Sequence, residues 1–343
     1  MSSISFKPKQ VTKKLLGALS PRAQDVLVKR YGLDTDAESQ TLEAIGQVYG
    51  ITRERVRQIE NHALQSIQKA SVFKEHQDVF DELSREIEAM GAVLAEHELL
   101  EVLAKDASLK NHFYFLLTLH QGFTRVKEDD HFHHRWHTSP LMAKEIEQAL
   151  TAVHEAISED DLLSEEDIIN LFVQNLSDSL KESQDRAVIY RWLSLSKYVA
   201  RNPLGEWGVS SSPNVRAKGI RDFAYLTVKR HGSPMHFREV ARSIEELFKR
   251  KAHVATCHNE LIKDKRFVLV GRGLYALSEW GYSAGVVKEV LREILRKEGA
   301  LSRNELIDKV RKERYVKDNT IIVNLQDASL FKRLSDGRYG LAE

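Results

Sequence analysis

Apolar residues recur at helical spacing through most of the chain, most clearly in the run that begins at Arg53. Val56, Ile59, Ala63 and Ile67 stand three or four residues apart, so a helix would place them on one buried stripe. Arg53, Glu54, Arg57 and Gln58 then project away from it. Thr52 is a good cap for this helix. A shorter helix is predicted over 42–49, capped by Thr41, with Glu43 in its first turn and Gly50 permitting a tight turn into the next helix. Upstream, Ser20 and Pro21 open a helix that runs to Tyr31, where Gly32 can end it. A polar loop, 34–40, follows. The pattern over 12–70 is a helix-turn-helix.

Such a helix suits major-groove reading, in which the amino-terminal end of a recognition helix meets base edges. Arginine pairs bidentately with guanine, glutamine with adenine, and glutamate accepts from cytosine; each good pair discriminates by about 1–3 kcal/mol. Arg55 is expected on phosphate, which positions without specifying sequence. The candidate DNA-binding set is Arg53, Glu54, Arg55, Arg57 and Gln58, with Thr41 and Thr52.

The segments 19–22, 30–33, 41–46 and 51–64 closely resemble region four of primary bacterial sigma factors. The resemblance covers about 60 of the 343 residues. It implies binding to a −35 promoter element and to the β flap of RNA polymerase, with Arg53, Glu54, Arg57 and Gln58 at the base-contact positions. Only about ten residues precede the helix-turn-helix. The regions that melt a promoter have no counterpart ahead of it, and the segments after it do not resemble them. A sigma-like regulator or polymerase accessory protein is therefore expected, not a self-sufficient initiation factor.

Beyond residue 84 one pattern recurs four times. Each copy opens on a hydrophobic residue followed by an acidic-hydrophobic pair: Leu94 with Glu98-Leu99, Leu163 with Asp167-Ile168, Met235 with Glu239-Val240, and Leu301 with Glu305-Leu306. Ser164 with Asp167 and Ser302 with Glu305 read as capping boxes. Each copy closes on an aromatic, Trp136, Trp207, Tyr275 or Tyr339, at spacings of 71, 68 and 64 residues. Thr256, Leu261, Phe267 and Leu277 match Thr320, Leu325, Phe331 and Leu341 at an offset of 64. Gly271 and Gly273 mark the turn of a hairpin over 266–277, and Asp336-Gly337 the turn of another. Three helices closed by a hairpin describe a winged helix, with the aromatic in its core.

The third copy, through 232–240 and 268–277, resembles the HARE-type winged helix found in the delta subunit of bacterial RNA polymerase and in restriction and chromatin proteins. That resemblance implies a DNA-binding or polymerase-associated module. The expected domains are 8–72 (helix-turn-helix), 73–155 and 156–214 (winged-helix-like), 215–283 (HARE-type) and 284–343 (winged-helix-like). Basic tracts at 249–251, at Arg311, Lys312, Arg314 and Lys317, and at Lys332-Arg333 lie near predicted third helices and wings. They make His253, Thr256, Lys317, Asn319 and Arg272 secondary DNA-binding candidates, with Asn259 beside them.

Charge changes the picture in one respect. The whole chain is balanced at +1, yet residues 1–70 carry 11 basic and 7 acidic side chains, 71–170 carry 8 and 22, and 171–343 carry 32 and 21. A basic head, an acidic middle and a basic tail suggest different partners for different parts. The single cysteine, Cys257, excludes an internal disulfide framework and is expected to be buried. The cluster His131, His133, His134 and His137 is expected at a solvent-facing hairpin tip without a metal, since alternation divides it between two faces. No cofactor loop, nucleophile elbow or nuclease motif is present, so an enzyme is not expected. No apolar run reaches the roughly 20 residues of a membrane span, and residues 1–10 lack a signal-peptide core. A cytoplasmic protein is expected.

The sequence thus predicts a mainly α chain, a sigma region-four-like helix-turn-helix followed by tandem winged-helix units with small β wings. It is expected to bind double-stranded promoter DNA in transcription together with RNA polymerase core. The rival expectations are a polymerase-binding scaffold with little sequence reading, and an architectural DNA organiser.

Overall fold

The computed structural model describes residues 4–34, 38–181, 185–282 and 286–342. The chain is mainly helical with small antiparallel sheets. It divides into two compact units, Met1–Arg201 with Trp207–Ser210, and Asn202–Glu206 with Ser211–Glu343. No helix among the described residues is long and apolar enough to cross a membrane.

The first unit begins with α1 (Pro8–Leu16), α2 (Pro21–Tyr31), α3 (Leu42–Tyr49) and α4 (Arg53–Lys69). Pro21 sits at the start of α2, where its missing N–H removes no helical bond, and Gly32 ends α2 in the left-handed region. The apolar stripe of α4 serves two cores. Val56 closes a small cluster with Val26 and Ile45, ringed by Leu42, Tyr49 and Ile51. Ala63 and Ile67 join a larger core with Leu15, Leu27, Phe80, Phe115 and Trp136. Ile59, between them, is only partly buried. The helix-turn-helix therefore shares a continuous apolar core with the elements that follow it.

Those elements are the short α5 (Ser71–Lys74), then α6 (Gln77–Ala89), β1 (Val93–Ala95), α7 (Glu96–Leu103), α8 (Ala107–Leu119), β2 (Thr124–Val126) and β3 (Arg135–His137). The sheet order is β1-β3-β2, antiparallel throughout. Next come α9 (Pro140–Ala156), α10 (Glu165–Gln174), the short α11 (Asp178–Lys181), α12 (Arg186–Leu193), β4 (Val199–Arg201) and β5 (Trp207–Val209). Gly91 (φ +111°) joins these two segments: a Cβ there would lie 2.5 Å from the Val188 side chain, and its carbonyl accepts from Trp192 Nε1 at 3.0 Å.

The second unit holds α13 (Ile220–His231), β6 (Met235–His236), α14 (Phe237–Phe248), α15 (Val254–Lys263), β7 (Phe267–Gly271) and β8 (Leu274–Leu277). It closes with α16 (Val287–Glu298), α17 (Arg303–Glu313), α18 (Asp318–Leu325), β9 (Phe331–Arg333) and β10 (Tyr339–Leu341). One order recurs four times across the chain: helix, extended residue, helix, helix, hairpin, with the short α11 added between the last two helices of the second copy. In every copy the opening hydrophobic residue lies across from the closing aromatic: Leu94 from Trp136, Leu163 from Trp207, Met235 from Tyr275, Leu301 from Tyr339. The sequence repeat is thus an antiparallel pairing that ties the start of each copy to its end. Ser302 and Glu305 form a reciprocal capping box. Ser164 accepts from the Asp167 amide, and its hydroxyl donates to the Asp167 carboxylate.

Two expectations are corrected. His137 is not at an exposed tip: it is buried on β3, the central strand, between Val93 of β1 and Thr124 of β2. Arg314 is not a surface cation. It is 3% exposed and donates to the Leu269 carbonyl, because the adjoining Tyr315 pairs with β7 at Gly271. Burial holds its guanidinium below the usual arginine range.

Candidate nucleic-acid interface

Local chemistry presents the amino-terminal end of α4 as a rigid, solvent-facing edge. The Thr41 hydroxyl accepts from the Ala44 amide at 3.1 Å, and the Thr52 hydroxyl from the Arg55 amide at 3.2 Å. Each satisfies an orphan amide of its helix. Gly50 turns the chain at φ +62°. The turn is tight: a Cβ on Gly46 would lie 2.7 Å from the Ile51 carbonyl oxygen. Only glycine lets α3 approach the start of α4 so closely.

Polar anchors hold these helices to α2. The Tyr49 hydroxyl and the Lys29 ammonium both donate to Asp25, and Arg22 lies over the Tyr49 ring, 5.1 Å from its centre. Burial pushes the Asp25 carboxyl up, but the Lys29 and Tyr49 hydrogen bonds outweigh it, so the net shift is downward. Arg30 reaches buried Glu60 at 3.3 Å and the Gln40 carbonyl at 3.1 Å. α3 and α4 are therefore each tied to α2, at Tyr49 and at Glu60.

Arg53, Glu54, Arg55, Arg57 and Gln58 are all exposed in the first two turns of α4, and Thr41 and Thr52 are exposed as well. Arg57 makes a fork with Glu54, Nε to Oε2 at 2.8 Å and Nη2 to Oε1 at 2.7 Å. That hydrogen bonding holds the Glu54 carboxyl below its usual range and raises Arg57. Arg55 Nη1 donates to Gln58 Oε1 at 3.0 Å. Four polar side chains are thus arranged in two pairs.

Residues 15–69 match the family Sigma-70, region 4. The chain is 53% identical over 66 residues to the RNA polymerase sigma factor SigA of Nostoc sp. strain PCC 7120, covering 18% of this chain and 17% of that protein. It is 51% identical over 65 residues to SigA of Microcystis aeruginosa, covering 18% and 15%. The chain therefore spans under a fifth of the length of these curated relatives.

The region 4 segment brings together further groups that the spacing of α4 alone does not mark. Ser20, Arg22 and His62 wall a cleft of about 590 Å³ with Arg55 and Gln58. His62 follows Gln58 by one helical turn, so its place on this edge is readable from period alone. Arg22 is not, since it comes from α2 and reaches the cleft only through the packing of α2 on α4.

Of the secondary candidates, His253 is the N-cap of α15 and Thr256 and Asn259 lie exposed along it. Arg272 is exposed in the two-residue turn between β7 and β8. Lys317 is the N-cap of α18, with Asn319 exposed in its first turn. Cys257 is buried, which pushes its thiol up to about 11 and leaves it a packing residue. His134 lies 3.7 Å from Glu128, and His131 rests against the Tyr198 ring. Among the described residues no three His, Cys, Asp or Glu side chains converge as a metal site.

Proposed function

We propose that the protein is a non-enzymatic, sigma-like DNA-binding transcription factor that reads a −35-like element of double-stranded promoter DNA through α4 and associates with RNA polymerase core at the β flap. In this reading Arg53, Glu54, Arg57 and Gln58 meet base edges. Arg55, with Arg22 beside it, meets phosphate, and Thr41 and Thr52 hold the two helix starts against the backbone. The observation that carries it is the exposed, doubly paired edge of α4 inside a segment that matches region 4 of sigma-70.

The four repeated segments are read as winged helices within 73–155, 156–214, 215–283 and 284–343, the third of the HARE type, following a helix-turn-helix domain at 8–72. Their third helices and turns would offer His253, Thr256, Lys317, Asn319 and Arg272 to DNA. Linked modules raise one another's effective concentration on a single duplex, which suits a small helix-turn-helix that buries modest surface alone.

The test is fluorescence anisotropy of the full chain on a −35-like duplex and on a scrambled duplex across a salt series. Preference for the −35-like duplex, abolished by Arg53→Ala with Arg57→Ala, supports the reading. Equal binding to both with a steep salt slope replaces it with an architectural role. The acidic stretch 71–170, with 22 acidic against 8 basic residues, favours a second reading, a polymerase-binding scaffold. Polymerase binding without any preference between duplexes selects that one.

A further inference from the structure

The four copies divide by what their third helices touch. α8 buries seven of its thirteen residues, and its Phe115 lies in one core with Leu27, Ala63 and Ile67 of the helix-turn-helix. α12 buries four of eight, with Val188 and Trp192 set against Gly91. Both are committed to packing. α15 buries two of its ten residues, Cys257 and Leu261, and α18 two of eight, Ile321 and Leu325. Each of these leaves an outer face open. The Tyr315 amide donates to the Val270 carbonyl at 2.9 Å, which ties the last two copies together.

The two open faces share a pattern. Ala255, Asn259 and Ile262 stand four and three residues apart on α15, so one side of the helix carries all three. The offset of 64 that aligns the two copies puts Asn319, Val323 and Gln326 at the same places in α18 and its cap. All six are exposed, Ile262 by 62% and Val323 by 63%. Each face thus presents carboxamides and methyl groups and no charge. The α15 carboxylate, Glu260, is half-buried and, at about 3.6 residues per turn, falls on the other side of the helix. The α18 carboxylate, Asp318, is held by Arg311, whose Nη2 donates to its Oδ2 at 2.9 Å. Exposed cations flank the faces, Lys251 and Lys263 at α15 and Lys317 at α18.

We propose that α15 and α18 read A·T base pairs in the major groove of duplex DNA. This rests on the reading of the last two copies as winged helices that meet DNA. Adenine offers N7 as an acceptor and its N6 amino group as a donor, which one carboxamide matches with two hydrogen bonds. Thymine offers a C5 methyl group, which an apolar side chain covers. Asn259, Asn319 and Gln326 supply the first contact, and Ala255, Ile262 and Val323 the second. Guanine is met by Arg or Lys and cytosine by Asp or Glu, and neither face carries any of these. Lys251, Lys263 and Lys317 meet phosphate, which positions the helices without choosing sequence. The head would then read its own element while the last two copies select A·T pairs beside it.

The experiment is fluorescence anisotropy of the full chain on duplexes that join a −35-like element to flanks of about two helical turns, roughly 20 base pairs. The flanks are A·T, G·C or inosine·cytosine, the last keeping the A·T minor groove while carrying the G·C major groove. The A·T flanks should bind about tenfold or more tighter than the G·C flanks, and the inosine·cytosine flanks should behave like G·C. Asn259→Ala with Asn319→Ala changes exposed positions only, so its circular dichroism should match the parent. It should remove most of the A·T preference and leave the preference for the −35-like element over its scramble intact. Equal binding to all three flanks overturns the proposal. So does inosine·cytosine behaving like A·T, which places the reading in the minor groove, or an A·T preference that the double variant retains. Loss of polymerase core binding in that variant, with no flank preference in the parent, gives the two faces to a protein partner instead. Scrambling the −35-like element tests the head on the same duplexes, so the two readings fail separately; binding to no duplex overturns both.

Discussion

Leu94 lies directly across the β1–β3 pair from Trp136, whose Nε1 donates at 2.9 Å to Glu96, two residues beyond Leu94. The second copy repeats the cross-strand contact, Leu163 opposite Trp207, but the Trp207 Nε1 is buried without a partner among the described residues. The same position thus carries two different energetics. Trp136→Phe removes ring volume and a hydrogen bond to a carboxylate, whereas Trp207→Phe removes ring volume and an unsatisfied donor. Trp136→Phe should destabilise the first unit by about 1–3 kcal/mol more than Trp207→Phe. Urea unfolding of the two variants side by side, followed by intrinsic fluorescence of the remaining tryptophans, measures the difference.

Gly46→Ala should disrupt the helix-turn-helix. Its Cβ would meet the Ile51 carbonyl oxygen at 2.7 Å, a backbone atom that cannot swing away. The expected loss is about 1–3 kcal/mol of stability, from strain and the shift of α3 on α4. On the proposed reading DNA affinity should fall with it, although none of the residues assigned to DNA changes. Circular dichroism melts with anisotropy on the same preparations test both halves.

Arg57→Ala and Arg55→Ala should separate in kind. On the proposed reading Arg57 meets a base edge, so its loss should narrow the preference for the −35-like duplex over the scrambled one by about 1–3 kcal/mol. Arg55 meets phosphate, so its loss should weaken both duplexes alike and flatten the salt slope by about one unit. Competition titrations at two salt concentrations distinguish these outcomes, and identical behaviour of the two variants contradicts the assignment.

Acid should loosen the first unit through Glu96. Burial pushes its carboxyl up, but the hydrogen bond and charge of Arg125, 2.8 Å away, with the Trp136 indole, pull it lower than its ordinary value. A carboxylate lowered in the folded state contributes stability that is fully present above the unfolded value of about 4.3 and is lost as pH falls through the folded value. Glu96→Gln should therefore lower stability at pH 7 and flatten its decline below about pH 5. Urea midpoints measured from pH 7 to pH 3 report this.

The elements governed by neighbours in sequence were readable from it. Thr41, Thr52, Gly32 and Gly50 act on helix ends a few residues away, and all four stand at the expected boundaries. The recurrence of Leu94, Leu163, Met235 and Leu301 against four aromatics was visible as spacing, although spacing alone did not reveal that each pair faces across a sheet. What escaped was set by chain segments far apart. Arg314 looks like part of a basic tract until the carbonyl of Leu269 captures it. His137 looks exposed until strands from both sides cover it. Arg22 reaches the edge of α4 only through helix packing. The Glu54–Arg57 fork was within reach, since three residues along a helix are neighbours.

That fork bears on how the protein would travel. On the proposed reading, a guanidinium already engaged by its own carboxylate is a muted charge, so off its target the helix would glide over duplex with less grip than three open arginines, Arg53, Arg55 and Arg57, would give. In that reading a guanine in the right place would have to draw Arg57 from Glu54, and a wrong base would let the pair close again. The idle posture of that side chain would then act as a latch, favouring a matched site by shortening the stay everywhere else.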